Sequence, residues 1–342
     1  MNPKHAARPP HGTGRQSATP GPSGRGKACA RRERIQVALA CSAAGMLLTG
    51  CFAAGHTAAG DRGGHPLVRG QAPSAPANSK PAQAPPGFPD TRTPAPTHVD
   101  NALTRLLEPI RARSGTQVSV AVLEPRTGRR MVYGSQTHIT ASVAKVNILA
   151  ALLLRAQREG RSLTPWETST AASMIQSSDN DSAGALWQRI GGGPGLSAAN
   201  KVLGLTSTQA GPGTHWGLTR TTAADQLALL KTVFAGRSPL GEASRHLIQT
   251  FMGRIDADQD WGISAEGSRW QLKNGWLQRS QSQRWTINSM GRVEAHGSTF
   301  YVVVLSHGSP SMAHGISTVE RAARTAVHAL RSTAPPVSPI LH

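Results

Sequence analysis

Cysteine is scarce in this chain: only three of its 342 residues are cysteines, and all of them lie within the first 51 positions. Cys29 and Cys41 belong to a segment that we predict to be removed during export, and Cys51 follows that segment directly. The sequence after Cys51 holds no thiol, which excludes disulfides, zinc–cysteine sites and cysteine catalysis from the folded region.

Histidine spacings typical of metal centres are also missing. The 13 histidines are scattered, and none of them forms an H-x-x-x-H or H-E-x-x-H pattern. We therefore predict neither a metal site nor a cofactor.

Acidic residues are few, with 18 Asp and Glu against 37 Lys and Arg, so the formal net charge is +19. A strongly basic chain invites a nucleic-acid interpretation. The basic residues are scattered, however, without a block of like charges and without a basic strip interleaved with aromatics. We predict a surface attracted to anionic envelope polymers and lipid headgroups, and no nucleic-acid partner.

The chain has no apolar run of the roughly 20 residues that cross a bilayer. Its N-terminal run, residues 35–50, follows Arg31, Arg32 and Arg34, an arrangement typical of a secretory signal. The run ends in "LLTGC", which resembles the lipobox of bacterial lipoproteins, so Cys51 is the expected lipid-bearing first residue after cleavage. A membrane anchor and a plain cleaved signal are the alternatives, and a start codon placed too far upstream would account for the residues before Arg31.

Composition divides the chain into four parts. Residues 1–50 are predicted to be a disordered extension with the signal peptide, and residues 51–97 a flexible linker rich in Ala, Gly and Pro. Residues 98–333 carry the apolar periodicity of one folded domain, expected to be a monomer, and residues 334–342 form a disordered tail. The signal predicts an extracytoplasmic location, either lipid-anchored to the outer face of the cell membrane or secreted.

Helices and strands are predicted in blocks. The predicted helices are 98–115, a buried helix beginning near Ser142, 166–176, 181–193, 221–236 and 316–332. The predicted strands are 117–125 and 129–135, joined as a hairpin, and 268–277, 284–295 and 298–308. This order predicts an α+β fold of three layers, α/β/α. Both ends of the domain would complete one antiparallel sheet, with a helical subdomain inserted between them.

Ser142 and Lys145 are the first candidates for catalysis. They lie three residues apart at the start of the buried helix, which places both side chains on one helix face. A lysine that takes a proton from a serine must be neutral, which burial and a nearby second cation favour. Alone, an S-x-x-K tetrapeptide is also what an ordinary helix start shows.

Two further motifs make the S-x-x-K tetrapeptide more specific. Residues 178–180 read S-D-N in the turn between two predicted helices, and residues 273–275 read K-N-G on a predicted strand. The motifs S-x-x-K, S-D-N and K-T-G occur together in class A β-lactamases and penicillin-binding proteins. Over nearly the whole of residues 98–333, the chain resembles this class A β-lactamase-like and penicillin-binding serine hydrolase superfamily.

The resemblance implies a role for each motif residue. Ser142 would attack the amide carbonyl of a β-lactam or of acyl-D-Ala-D-Ala, with Lys145 as its base. Ser178 would relay a proton toward the leaving nitrogen, and Asn180 would hold the side-chain amide of the substrate. Lys273 would pair with the substrate carboxylate.

The strand carrying the third motif would supply the remaining contacts. Gly275, which lacks a side chain, would let the ligand approach the strand. The backbone N–H groups of Ser142 and Trp276 would form an oxyanion hole. Asn274 stands where the family usually has Thr or Ser and is expected to alter recognition of the carboxylate. Asp179 would buttress its turn, or simply cap a helix.

A deacylating glutamate like that of class A enzymes is missing after the second motif. Between Asn180 and Leu240 the only acids are Asp181 and Asp225. His215 falls in the corresponding loop and is a candidate for activating water, with a solvated loop histidine as the alternative. Acylation without fast deacylation is therefore expected.

The sequence predicts an exported serine hydrolase that forms an acyl-enzyme with β-lactams or peptidoglycan stem peptides and deacylates slowly. Two alternatives stay open: a catalytically idle lipoprotein that binds muropeptides or β-lactams, and a DD-carboxypeptidase. A serine esterase with a histidine triad is disfavoured, because the folded region contains no G-x-S-x-G.

Overall fold

The structure is a computed structural model that describes residues 98–333, with side chains from residue 102 onward. The predicted signal peptide, Cys51, linker and tail lie outside the described residues. Within the described part, no helix is both long and apolar enough to cross a membrane.

Helices and strands alternate in blocks along residues 98–333. The helices are α1 His98–Ser114, α2 Ala144–Arg158, α3 Pro165–Gln176, α4 Asn180–Arg189, α5 Gly192–Leu203, α6 Ala223–Phe234, α7 Glu242–Met252 and α8 Met312–Ser332. The strands are β1 Gln117–Glu124, β2 Arg129–Tyr133, β3 His138–Ile139, β4 Arg220–Thr221, β5 Arg269–Gln278, β6 Trp285–Ala295 and β7 Ser298–Ser309. Short 3-10 turns lie at Ala141–Val143, Trp216–Leu218 and Ile263–Glu266.

Five strands form one sheet in the order β2-β1-β7-β6-β5, and every neighbouring pair is antiparallel. The hairpin of β1 and β2 comes from the start of the domain, and β5 to β7 come from its end. Helices α2 to α7 lie between these two parts of the chain. The α+β architecture predicted from the sequence is confirmed.

The sheet separates two hydrophobic clusters, because successive strand residues point to opposite faces. On β7, Val302 and Val304 contribute to the cluster that contains α1 and α8. Val303 and Leu305 contribute to the cluster that contains α2 and α6. Helix α2 lies deep in the second cluster, and twelve of its fifteen residues are buried. Its N-terminus, where the first motif begins, is therefore held by the core.

Two helices of the inserted subdomain were not predicted. The glycines at 191–193 were expected only to end a helix, but α5 starts directly after the left-handed Gly191 and itself ends at the left-handed Gly204. Helix α7 was also missed, although Leu247, Ile248, Phe251 and Met252 recur along it at helical spacing. Ser142 also differs from prediction: it lies in a 3-10 turn that leads into α2, two residues before the helix proper begins.

A buried histidine pair connects β3 to the main sheet. His138 in β3 is 1% exposed, and its Nε2 lies 2.9 Å from Ser119 Oγ on β1. Its Nδ1 lies 3.0 Å from Nδ1 of His307 on β7. Burial, the neighbouring imidazole of His307 and the charge of Arg220 together lower the pKa of His138 to about 3.

Acid is expected to destabilise the domain through His138. The unfolded chain protonates this imidazole near its ordinary pKa of 6.5, whereas the folded chain resists protonation down to about 3. The contribution of neutral His138 is thus complete above the unfolded pKa, and it falls by roughly 1.4 kcal/mol per pH unit as the pH drops toward the folded pKa. When the free energy of unfolding is measured with urea across this pH range, it should fall less steeply with decreasing pH in His138→Gln than in the wild type. An equal slope in the variant would contradict the assignment.

Candidate active site

Ser142 lies on a tightly constrained turn. Its neighbours Ala141 and Val143 are buried, while Ser142 itself is partly exposed. Ala141 has φ +46°, a left-handed conformation that is uncommon for a residue with a side chain and that persists only where the surroundings enforce it. The turn therefore presents the Ser142 side chain toward solvent from a fixed backbone.

The surroundings that fix this turn come from three parts of the fold. Asn288 on β6 donates from Nδ2 to the carbonyl oxygens of Ile139 and Thr140, both at 2.9 Å. The N–H of Thr140 donates to the carbonyl oxygen of Thr219 at 2.8 Å. A Cβ built on Gly275 of β5 would lie 2.8 Å from the backbone N of Ser142. The nucleophile candidate is thus packed directly against the strand of the third motif.

Lys145 is fully buried one helical turn after Ser142. Its Nζ donates to the carbonyl oxygen of Ser178 at 2.5 Å and to Oδ1 of Asn180 at 2.9 Å, and it lies 3.1 Å from Oγ of Ser178. The first and second motifs therefore meet at this amine. In the part of the chain that the structure describes, Lys145 makes these contacts and no hydrogen bond to Ser142 Oγ.

The environment of Lys145 favours a neutral amine. Burial and the positive charge of Lys273 lower its pKa to about 6, although the carboxylate of Asp179 acts in the opposite direction. A neutral amine can still satisfy the observed contacts, because it has two hydrogens for the oxygens of Ser178 and Asn180 and a lone pair for the Ser178 hydroxyl. Lys145 can consequently accept a proton near neutral pH.

The second motif forms the predicted turn between α3 and α4. Ser178 adopts φ +56°, which is again left-handed. Oδ1 of Asp179 accepts from the N–H of Ser182 at 2.7 Å and caps α4, so Asp179 is a helix cap in this structure. Asn180 is the first residue of α4. The strained backbone of Ser178 directs its carbonyl and hydroxyl oxygens together toward the Lys145 amine.

Lys273 and Gly275 lie on the same face of β5, as their spacing predicted. Lys273 is 1% exposed, and burial lowers its pKa to about 7 while the charge of Asp256 raises it. The structure gives Gly275 a role beyond ligand approach, because the glycine lets β5 lie against the Ser142 turn. Lys273 thereby lies close enough to Lys145 to influence its charge.

Asn274 does not occupy the substrate-binding position predicted from the sequence. Its fully buried Nδ2 donates to the carbonyl oxygens of Gln259 at 2.7 Å and of Trp261 at 2.8 Å, so both amide hydrogens are used. Gln259 in turn donates from Nε2 to the carbonyl oxygen of Ser177 at 3.2 Å. Through Gln259, Asn274 therefore connects the third motif to the residue that precedes the second.

Trp276 follows on β5, and its side chain is turned away from Lys273. Its ring packs against the ring of Trp261, with 6.0 Å between the ring centroids and 61° between the ring planes. A contribution of Trp276 to the site is accordingly limited to its backbone N–H, the group that was predicted to donate in an oxyanion hole.

His215 is an exposed residue that precedes the 3-10 turn Trp216–Leu218. The next residue, Trp216, contacts a motif residue: Lys145 Nζ is 4.8 Å from the centroid of its ring. Sequence reasoning missed Trp216. The signal that could have found it is a large aromatic residue in a glycine-rich loop, which is seldom left without a packing partner.

Glu167 is a buried carboxylate in the first turn of α3, at the opposite end of this helix from the second motif, and its oxygens are fully engaged. It accepts from Arg161 at 2.8 Å, from Arg189 at 2.9 Å and from the N–H of Thr164 at 2.9 Å. Burial alone would raise its pKa, but these hydrogen bonds outweigh it and lower the pKa to about 2. Glu167 therefore stabilises the start of α3 and is unsuited to act as a base.

Replacing Gly275 with alanine is expected to destabilise the domain by about 1–3 kcal/mol. The added Cβ would lie 2.7 Å from the oxygen of Thr140 and 2.9 Å from the N of Val143, and both are backbone atoms that cannot rotate away. Gly184→Ala is the matched control, because a Cβ on this α4 residue meets no atom within 4 Å. Urea unfolding measures both variants. Equal stability of Gly275→Ala and the wild type would contradict the described contact.

Comparisons with known proteins agree with the predicted resemblance and with the fold. Residues 168–330 match the β-lactamase enzyme family. The protein named "Putative lipoprotein LppW" of Mycobacterium tuberculosis is 32% identical over 176 residues, which are 48% of this chain and 56% of that protein. The Mycobacterium bovis protein of the same name matches to the same extent. The chain thus spans about half the length of the curated relatives it matches.

Solved structures show the same fold at low sequence identity. A class A β-lactamase of Bacteroides cellulosilyticus superposes with a TM-score of 0.60 at 16% identity, covering 68% of this chain and 99% of that one. An ancestral class A β-lactamase gives 0.57 at 22% identity, covering 66% and 99%. Both likenesses concern the fold alone. Residues 168–330 thus match the β-lactamase enzyme family, and the described residues have the fold of class A β-lactamases.

Proposed function

We propose that residues 98–333 form a serine hydrolase domain in which Ser142 is acylated by β-lactams or by stem peptides that end in D-Ala-D-Ala. The acyl group is then released slowly from Ser142. The single observation that carries this proposal is the Lys145 amine. It is fully buried, it contacts two residues of the second motif, and its pKa is lowered to about 6. Such an amine is a base that is competent near neutral pH.

The proposed acylation moves one proton and exchanges one bond. Ser142 Oγ bonds to the substrate carbonyl carbon, and the Ser142 proton passes to Lys145. From there it returns through Ser178 Oγ, 3.1 Å from the amine, to the nitrogen released as the C–N bond breaks. In a β-lactam this nitrogen stays attached through the opened ring. In a stem peptide it leaves with the terminal D-Ala.

Lys273 is the proposed anchor for the substrate carboxylate. As an ammonium it attracts this group and also disfavours a proton on Lys145. The acylation rate is then expected to depend on pH in a bell shape, rising as Lys145 deprotonates at about 6 and falling as Lys273 loses its charge at about 7.

Slow release of the acyl group follows from the absence of a free carboxylate beside Lys145. Among residues 98–333, Asp179 is the acid that acts on this amine, and its carboxylate caps α4. Exposed His215 is retained as a proposed activator of water.

The location proposed for the domain is the outer face of the cell membrane, with Cys51 as the lipidated residue. The "LLTGC" sequence supports this proposal, and so does the lipoprotein name of the mycobacterial relatives.

Intact-mass spectrometry after incubation with benzylpenicillin tests the proposal. The expected product carries the mass of the whole penicillin, since ring opening releases no atom, and peptide mapping should find it on Ser142. A parallel incubation with an acyl-D-Ala-D-Ala peptide, followed for release of D-Ala, separates a DD-carboxypeptidase from a penicillin-specific enzyme. If neither an adduct nor turnover is found with either substrate, the hydrolase proposal is overturned and a non-catalytic binding domain is favoured.

A further inference from the structure

The loop between α5 and β4 places an indole over the candidate base. Trp216 is partly exposed, and its ring centroid lies 4.8 Å from Lys145 Nζ. The same ring packs against the hydrophobic cluster that contains α2. The indole therefore occupies space beside the amine that would otherwise be open to solvent.

The position of this loop is fixed on both sides of Trp216. Nε1 of the buried Trp187 donates to the carbonyl oxygen of Gly213 at 3.0 Å. The carbonyl oxygen of Thr219 accepts from the N–H of Thr140, next to the Ser142 turn. Gly211 has no room for a side chain, because a Cβ there would lie 2.1 Å from the carbonyl oxygen of His215. The indole is consequently held in place instead of moving freely with an open loop.

We propose that Trp216 is a positioning residue that keeps bulk water away from the Lys145 amine, and that it thereby supports acylation of Ser142 while prolonging the life of the acyl-enzyme. This inference rests on the proposed function. It makes the Trp216 side chain responsible both for the reactivity of the Lys145 amine and for the slow hydrolysis of the acyl-enzyme.

Two effects of the indole on Lys145 oppose each other. An aromatic face attracts an ammonium, by about 0.5–2 kcal/mol, and this would keep the proton on the amine. Exclusion of water disfavours the same charge, because the desolvated ammonium loses its hydration. Burial is the leading cause of the lowered pKa of Lys145, which indicates that exclusion of water prevails.

The second step needs water close to the base. Hydrolysis of the ester requires a water whose proton is removed as it attacks the carbonyl carbon. With an indole beside Lys145, this face of the amine is apolar and cannot hold such a water through hydrogen bonds. The ester formed on Ser142 therefore persists.

Trp216→Ala and Trp216→Gln are the test variants, and Trp216→Phe is the conservative one. Trp166→Ala is the matched control, since Trp166 on α3 is 52% exposed. For each protein, labelling by a fluorescent penicillin is timed across pH, and adduct lifetime is measured by intact mass after free penicillin is removed. Circular dichroism confirms the fold. Trp216→Gln keeps the test valid if the alanine variant does not fold.

The expected result is a pH midpoint for acylation that moves up by about one unit in the alanine and glutamine variants, as water reaches the amine. Their adducts should also decay about tenfold faster, whereas Trp216→Phe and Trp166→Ala should behave as the wild type. An unchanged midpoint and lifetime in folded Trp216→Gln would overturn the role of Trp216. Failure of the wild type to form any adduct would instead overturn the proposed function.

Discussion

Ser142→Ala is expected to abolish the penicillin adduct, with labelling slowed by at least about 10⁴-fold. The variant lacks the oxygen that would form the ester, and the Lys145 amine cannot replace it because it is buried beneath Ser178 and Asn180. The fold should be unaffected. Ser142 is partly exposed, so its change should alter the free energy of unfolding by no more than about 0.5 kcal/mol.

Ser177→Ala is the control for this experiment, because Ser177 is an exposed serine beside the second motif. It should label at the wild-type rate. Gel fluorescence after incubation with a fluorescent penicillin, together with urea unfolding, measures both quantities. Labelling of a folded Ser142→Ala protein would place the nucleophile elsewhere.

Lys145→Met is expected to slow acylation by about 10²–10⁴-fold, the range for loss of a general base. Methionine keeps most of the side-chain volume in the buried site and removes the amine. The rate that remains should no longer rise through pH 6, because the group with that pKa is gone. Stopped-flow measurement with a chromogenic cephalosporin across pH tests both points.

Lys201→Met is the matched control for Lys145→Met, since Lys201 on α5 is exposed. It should keep the wild-type rate and pH profile. Circular dichroism separates lost chemistry from lost fold. If Lys145→Met acylates as fast as the wild type, the amine is not the base.

The overall architecture could be predicted from the sequence because the strands and the outer helices show clear apolar periodicity. The strand 298–308 alternates toward two cores, and the observed β7 spans Ser298–Ser309. The K-N-G spacing correctly predicted that Lys273 and Gly275 share a face of β5. In each case a short-range pattern determines the outcome.

Contacts between distant segments could not be read from the sequence. Hydrogen bonds from Asn274 to Gln259 and from Gln259 to Ser177 join three segments. Their acceptors are backbone carbonyls, which any residue can supply. A search by residue type therefore assigned Asn274 to the substrate. Trp216 was missed for a related reason, since its contact with Lys145 depends on the course of an irregular loop.

The central claim is that Lys145 is a neutral amine at physiological pH, and NMR of the protein labelled with ¹³Cε,¹⁵Nζ-lysine measures this directly. The Lys145 signal is assigned by its disappearance in Lys145→Met and is followed across pH. The account predicts a titration midpoint at about 6. A midpoint at the ordinary lysine value of 10.5 would show a permanently charged ammonium and would contradict the account.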